Sequence, residues 1–282
     1  MRGGAGPTQS DFTQTLWEGP EAGGPCHRPR MHNPERCSLF VPLLCYAGPV
    51  NASRTARERV RAELTREITD VARAQLATEG AGGLSLRAVA REMGMVSSAI
   101  YRYFPSRDDL LTALIVDGYN AIGEVAEQAD AACPAGEHAG RWLAVCRGIR
   151  DWALAHPHEY ALVYGSPVPG YQAPERTIGP AARAATVFGK IISDAREAGA
   201  LRAPGICPPP PASFAADAAA LRESILPGAP DDVIAAALGC WTALFGMISF
   251  ELFGQFENVI TDRAAFFTHT MACQGRLAGL PG

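Results

Sequence analysis

The sequence predicts an all-α fold, with a small N-terminal helical unit followed by a larger C-terminal helical unit. Three observations lead there. Apolar residues recur at three- and four-residue steps over most of the chain beyond residue 55. No βαβ alternation and no internal repeat breaks that pattern. Hydrophobic residues make up 48% of the 282 residues, enough for a sizeable core, and charged residues only 19%.

Residues 1–52 are expected to be a disordered extension, because Gly and Pro are dense there and no helical period is present. One segment in it, SLFVPLLCYA from Ser38 to Ala47, is apolar and follows Arg28, Arg30 and Arg36. That resembles the core of a signal peptide. Pro42 interrupts it, its leader is long, and it is too short to cross a bilayer. The expectation is therefore no signal peptide and no membrane segment. A second expectation is that translation begins near Val50, which would leave this segment out.

The first helix is expected over Thr55–Glu79, where Val60, Leu64, Ile68, Val71 and Leu76 mark one face. Gly80, Gly82 and Gly83 end it. The next segment is LSLRAVAREMG. Ser85 is a good N-cap, and Leu86, Val89, Ala90 and Met93 form one stripe at i, i+3, i+4 and i+7. Arg87 and Arg91 lie on a different face, and Gly94 is placed to cap the C-terminus. Only Met95 and Val96 precede the next helix, which starts at Ser97. Ile100 and Phe104 face inward. Ser97 with Tyr101, and Ser98 with Arg102, face outward. Pro105 closes this helix, and Ser106-x-x-Asp109 opens another as a capping box. That fourth helix runs through Leu111, Leu114, Gly118, Ile122 and Val125 to about Ala132.

Beyond residue 133 the pattern is helical in longer pieces: Glu137–Ala155, His158–Tyr164, Glu175–Gly199, Ala215–Leu226, Asp231–Gly254 and Asn258–Leu280. The loop GSPVPGYQAP and the prolines Pro208–Pro211 separate them. The expected domains are residues 53–107 and 108–282. Asp231–Gly254 is apolar nearly all round, which implies burial on several sides, as at a dimer seam.

Charge divides the same way. Residues 51–107 carry ten Arg and six acids, a net of +4; residues 108–282 carry eleven basic and nineteen acidic residues, a net of −8. The overall −4 argues against a general polyanion binder, yet the basic block offers local attraction for one. The eight cysteines form no CxxC pair, which fits a reducing cytoplasm.

Two short helices joined by a tight Gly-containing turn make a helix-turn-helix. Its last helix offers hydroxyls, a phenol and an arginine on one face, groups that suit a DNA groove. Hydroxyls bond phosphate oxygens, and Arg102 can bond a guanine edge with two donors. The candidate DNA-binding residues are Ser85, Arg87, Ser97, Ser98, Ala99, Tyr101, Arg102, Tyr103 and Arg107. Phe104 is expected in the core, and Arg91 on a solvated face.

The stretches LSLRAVAREMG and SSAIYRYFPSRDDLL resemble the tetracycline-repressor (TetR) family of bacterial regulators. Ile100 to Leu111 match the family's apolar-Tyr-x-Tyr/His-Phe-Pro-Ser-Lys/Arg-x-x-Leu-Leu pattern throughout. WALAHPHEYALVYGSPVPGYQAPE, from Trp152, further resembles an actinobacterial-type subgroup with a WHG-like C-terminal domain. The resemblance covers residues 55–280. It implies a three-helix DNA-binding domain, a fourth linking helix, a ligand-binding domain, and a homodimer made by Asp231–Gly254 and Asn258–Leu280. It also implies a small-molecule effector, a pseudo-palindromic operator and repression. Two departures stand out. Ala99 lacks the hydroxyl that many relatives carry at that position, and Arg107 replaces the usual Lys.

The candidate ligand-lining residues are Tyr119, Trp142, Cys146, Trp152, Tyr160 and Tyr164, since a bundle that encloses a ligand is lined by aromatic and soft groups. No cofactor and no metal are expected. His156 and His158 straddle Pro157 with no third His nearby, which reads as a helix boundary. No nucleophile-and-base arrangement has motif context, so an enzyme is not expected. Two alternatives are a metal-dependent hydrolase using His156, His158 and Glu159, and a redox sensor using Cys146 or Cys240 on the regulator scaffold.

Overall fold

The computed structural model describes residues 52–202 and 208–281, with the backbone alone for residues 52–54. The expected disorder of residues 1–51 and the Ser38–Ala47 segment lie outside the described residues, as do residues 203–207. Among the described residues ten α-helices follow one another: α1 Ala52–Gly83, α2 Leu86–Glu92, α3 Ser97–Ile100, α4 Arg107–Ala131, α5 His138–Ala155, α6 Pro157–Tyr164, α7 Ile178–Glu197, α8 Ala215–Ser224, α9 Asp231–Leu252 and α10 Arg263–Leu277. Single 3-10 turns at Glu175–Thr177 and Ala212–Phe214 lead into α7 and α8. No strand occurs among the described residues.

The helix ends follow local chemistry. Gly80 breaks α1 with φ 68° and ψ 175°, a conformation only glycine adopts readily. Ser106 caps α4, its hydroxyl accepting from the Asp109 N–H at 3.1 Å and donating to the Asp109 carboxylate at 2.8 Å. That bond holds the Asp109 carboxyl below the usual carboxylate range. Pro157 occupies the first turn of α6, where its missing N–H costs nothing. The last helix starts at Arg263, later than the expected Asn258. Asn258 sits at φ 59° in a turn, and the Asp262 carboxylate caps the helix by accepting from the Ala265 N–H at 2.9 Å.

Two apolar cores form. The first joins Ile68 and Ala72 of α1, Leu86, Val89 and Ala90 of α2, Ile100 of α3, Phe104, and Leu110, Leu111 and Leu114 of α4. The second begins with Ile122 and Ala126 of α4 and continues through α5 to α10. The expected boundary at residue 107 therefore marks no gap, because α4 runs through both cores. Leu162, Val168 and Tyr171 also pack on the first core. The Tyr171 hydroxyl meets the Thr112 hydroxyl at 2.9 Å, and Arg73 of α1 reaches Asp117 at 3.3 Å and Glu159 at 3.7 Å.

Among the described residues, Arg141 of α5 is the one buried arginine, with a side chain 2% exposed. Its guanidinium bonds Asp130 of α4 through two nitrogens at 2.6 and 3.2 Å, Asp194 of α7 at 2.8 Å, and the Ala135 carbonyl at 3.0 Å. Three segments thus close on one cation. Removing a buried partner leaves its counter-charges unpaired, which typically costs about 3–5 kcal/mol. Asp194 keeps a second cation in Lys190, at 2.6 Å. Arg141→Ala is therefore expected to cost about 3 kcal/mol, the low end of that range. Urea unfolding at neutral pH checks it.

Candidate nucleic-acid interface

The turn between α2 and α3 fixes the geometry of the interface. Gly94 has φ +66°, and its N–H bonds the Arg91 carbonyl at 3.1 Å. The Met95 N–H bonds the Ala90 carbonyl at 2.8 Å. These two bonds make a Schellman motif, which ends α2 and reverses the chain within three residues. Ser85 caps the other end of α2, its hydroxyl accepting from the Ala88 N–H at 3.4 Å. The Ser85 N–H is held by the Gln75 side-chain oxygen at 3.4 Å. Ser85 is thus committed to helix structure.

Only Ser97–Ile100 are α-helical, and Tyr101–Tyr103 continue as turns. Pro105 disfavours helix for the residue before it. Ile100 and Phe104 are buried, at 0% and 6% exposure. That anchor leaves Ser97, Ser98, Tyr101 and Arg102 exposed on the other side, with Arg87 and Arg91 exposed on α2. Ala99 and Tyr103 are half-buried. Among the described residues, no hydrogen bond engages the side chains of Ser97, Ser98, Tyr101 or Arg102, so their donors face solvent.

Arg61 of α1 was not expected here. Its guanidinium donates to the Arg102 carbonyl at 3.0 Å and lies 5.5 Å from the centre of the Tyr103 ring. It pins the end of the α3 turn to α1. In sequence it is one of several arginines on α1, and nothing there distinguishes it.

Arg107 points inward. Its guanidinium donates to the carbonyls of Leu84 at 3.2 Å, Ala81 at 2.6 Å and Gly82 at 3.4 Å. The break at Gly80 exposes these carbonyls, and Arg107 satisfies them. The sequence placed Arg107 among the candidate DNA-binding residues, and its guanidinium is instead engaged by these carbonyls.

The candidate ligand residues fall in different places. Trp142 lines an apolar cavity of about 200 Å³ between α5, α7, α8 and α9. The other five do not. Tyr160, Tyr164 and Tyr119 join Phe245 in an aromatic cluster that abuts the cavity wall, with Tyr164 stacked on Phe245 at 4.0 Å and edge-on to Tyr119 at 6.1 Å, and Phe245 edge-on to the lining Trp241 at 4.7 Å. The Tyr160 hydroxyl donates to the Phe245 carbonyl at 3.0 Å, and burial pushes its pKa up to about 12. Trp152 stacks on His156, and Cys146 is fully buried in the core.

That placement also bears on the two alternatives. His156 has Nδ1 against the Trp152 carbonyl at 2.9 Å, while Glu159 faces Arg73. Two of the three hydrolase residues, His156 and Glu159, therefore serve separate partners. Burial pushes the Cys146 thiol well above its ordinary pKa, which suppresses the reactive thiolate. The Cys240 thiol, also buried, contacts the Gln274 carbonyl at 3.0 Å.

A capped helix joined by a tight glycine turn to a short helix that presents free polar groups is a helix-turn-helix. Comparison with known proteins gives the family. The model for bacterial regulatory proteins of the tetR family matches residues 68–114, and that for the tetracyclin repressor-like C-terminal domain matches residues 142–273. The HTH-type transcriptional regulators Mb1846 of Mycobacterium bovis and Rv1816 of Mycobacterium tuberculosis are each 39% identical over 227 residues, covering 79% of this chain and 94% of the relative. The regulatory protein SCO4313 shares the fold, with TM-score 0.63 and 35% identity over 77% of this chain and 98% of its own. A protein from Rhodococcus sp. RHA1 shares it at TM-score 0.56 and 22% identity, over 74% of this chain and 94% of its own. The chain belongs to the TetR family of transcriptional regulators and binds DNA through its helix-turn-helix; the family is not enzymatic.

Arg107 gives a test of this geometry. Arg107→Ala is expected to lower stability by about 1–2 kcal/mol, the scale of charged hydrogen bonds at a partly exposed site. The slope of DNA affinity against salt should stay as in the wild type, measured by anisotropy on a nonspecific duplex.

Proposed function

We propose that this protein is a ligand-responsive repressor that binds a pseudo-palindromic operator as a homodimer. The observation that carries the reading is the outward face of Ser97, Ser98, Tyr101 and Arg102, set on a buried Ile100–Phe104 base. The serines and Tyr101 are placed to bond phosphates, and Arg102 to read a base edge. Arg87 flanks them as a phosphate contact. Ser85, Ala99 and Tyr103 shape the surface and add no free charge. The site of action is the cytoplasm.

The dimer reading rests on an apolar face shared by α9 and α10. Leu238, Phe250, Phe253 and Phe266 are exposed by 44, 50, 47 and 37%. Phe256 stacks on Phe250 at 5.7 Å and meets Phe266 edge-on at 6.0 Å. α9 is long and apolar enough to cross a membrane by length and composition. It packs on α5, α8 and α10 within the bundle, so its exposed side suits a second copy of the chain. Two copies would place two α3 faces in successive major grooves, about 34 Å apart. An effector in the C-terminal core would favour an arrangement in which they no longer match, and only to the extent that it binds that arrangement better.

Two measurements test the reading. Fluorescence anisotropy with operator and scrambled duplexes should separate the α3 contacts. Tyr101→Phe should weaken both duplexes by about 1 kcal/mol, the scale of one hydrogen bond. Arg102→Ala should cost roughly 1–3 kcal/mol on the operator and much less on scrambled DNA. Equal losses on both duplexes would make Arg102 a phosphate clamp, and no loss from either substitution would remove the α3 reading. For the dimer, sedimentation equilibrium should find a dimer at micromolar concentration. Phe250→Glu should raise its dissociation constant by about tenfold or more, since a carboxylate would be buried without a partner. A wild-type monomer would sink the dimeric-operator arrangement.

A further inference from the structure

The cavity between α5, α7, α8 and α9 is built for one chemical class. Three rings wall it. Trp142 meets Phe188 edge-on at 4.8 Å, and Phe188 meets Trp241 edge-on at 5.9 Å. Ile192, Ile225 and Leu238 are among the aliphatic groups that complete the lining. Among the described residues, no Asp, Glu, Lys, Arg or His lines it. The polar hydrogens nearest the space are already engaged: the Trp142 Nε1–H donates to the Met271 carbonyl at 2.9 Å, and the Cys240 thiol contacts the Gln274 carbonyl.

Two glycines set its walls. A Cβ on Gly189 would lie 2.1 Å from the Ile225 carbonyl oxygen, so only glycine lets the end of α8 close on α7. A Cβ on Gly275 would stand 3.1 Å from the Trp142 ring, so glycine there lets α10 pack flat behind that indole. Leu238, 44% exposed, belongs both to this lining and to the apolar face proposed for the dimer.

We infer that this cavity is the effector site and that the effector is an uncharged, predominantly apolar molecule of about one or two fused rings, or a branched aliphatic of similar bulk. The inference rests on the ligand-responsive reading above and names its ligand class. Size follows from volume: apolar cavities of about 150 Å³ hold benzene, and this one is about 200 Å³. Charge is excluded because an ion would lose its water and find no partner inside. A hydrogen-bonding ligand such as a sugar would leave most of its groups unsatisfied.

α7 links the cavity to the DNA-binding unit. Phe188, Gly189 and Ile192 face the cavity. On the same helix Arg183 forks onto Glu127 of α4 at 2.6 and 2.7 Å and donates to the Asn120 carbonyl at 3.1 Å. A molecule wedged between α7 and α9 therefore presses on the helix that grips α4.

The test uses full-length protein, naphthalene as the neutral probe and 1-naphthoate as its charged match. Isothermal titration calorimetry should find one naphthalene per chain and at least about tenfold weaker binding of 1-naphthoate. Ala185→Leu and Ala237→Leu each add bulk to the lining and should abolish naphthalene binding while thermal unfolding remains cooperative. Naphthalene should also weaken wild-type binding to DNA from upstream of the protein's own gene. The inference is overturned if naphthalene fails to bind, if naphthoate binds as well, if a folded filled variant still binds, or if naphthalene binds without weakening DNA binding. Should the filled variants not fold, the naphthalene-to-naphthoate ratio on the wild type decides alone. Absence of DNA binding by the ligand-free protein would instead overturn the regulator reading, and calorimetry would still judge the cavity.

Discussion

α4 is built into two hydrophobic cores at once. Its first turns bury Leu110, Leu111 and Leu114 against α1, α2 and α3, and its later turns bury Ile122 and Ala126 against α5 and α7. Close-packed interiors do not deform smoothly, so neither core can move along α4 without repacking. The polar contacts reinforce the same helix. Arg73 reaches Asp117, Arg183 forks onto Glu127, and Arg141 closes on Asp130. Burial raises the Asp117 carboxyl, and the charge of Arg73 works against that rise. The outward face of α3 is therefore aimed by a helix whose other half belongs to the C-terminal core. In the proposed ligand-responsive reading, a preference that an effector expressed at α7 would be carried to DNA by that shared element.

Much of the N-terminal unit was legible in the sequence because its signals are local. Gly94 ended α2 as its position implied, Ser85 and Ser106 capped their helices, and the i, i+4 pair Ile100 and Phe104 went inward. Local signals stop at the side chain's destination. Arg107 was readable as a cation close to the motif. Its targets, three carbonyls near residue 82, exist only because Gly80 breaks α1. Arg61 was unreadable for the same reason, since its partners lie 41 positions away at Arg102.

The ligand domain was less legible. Aromatic residues mark what a cavity could be lined with, and they do not mark where packing leaves space. Tyr119, Tyr160 and Tyr164 pack around Phe245, which stands between them and the lining Trp241. The void arises beside them, where Gly189 draws α8 onto α7 and Phe188 and Trp241 turn edge-on. Of the six residues expected there, Trp142 alone lines it. Boundaries shifted where tertiary turns intervene, as at Asn258, whose positive φ delays α10 to Arg263.

The most direct measurement of the central claim is selection of bound duplexes from a random DNA library by the purified full-length protein, followed by sequencing. A dimer that reads DNA with two α3 faces should enrich an inverted repeat whose half-site centres lie about one helical turn apart. Each half-site should hold a base pair that Arg102 specifies. Enrichment of a single unpaired site, or of no sequence at all, would contradict the account.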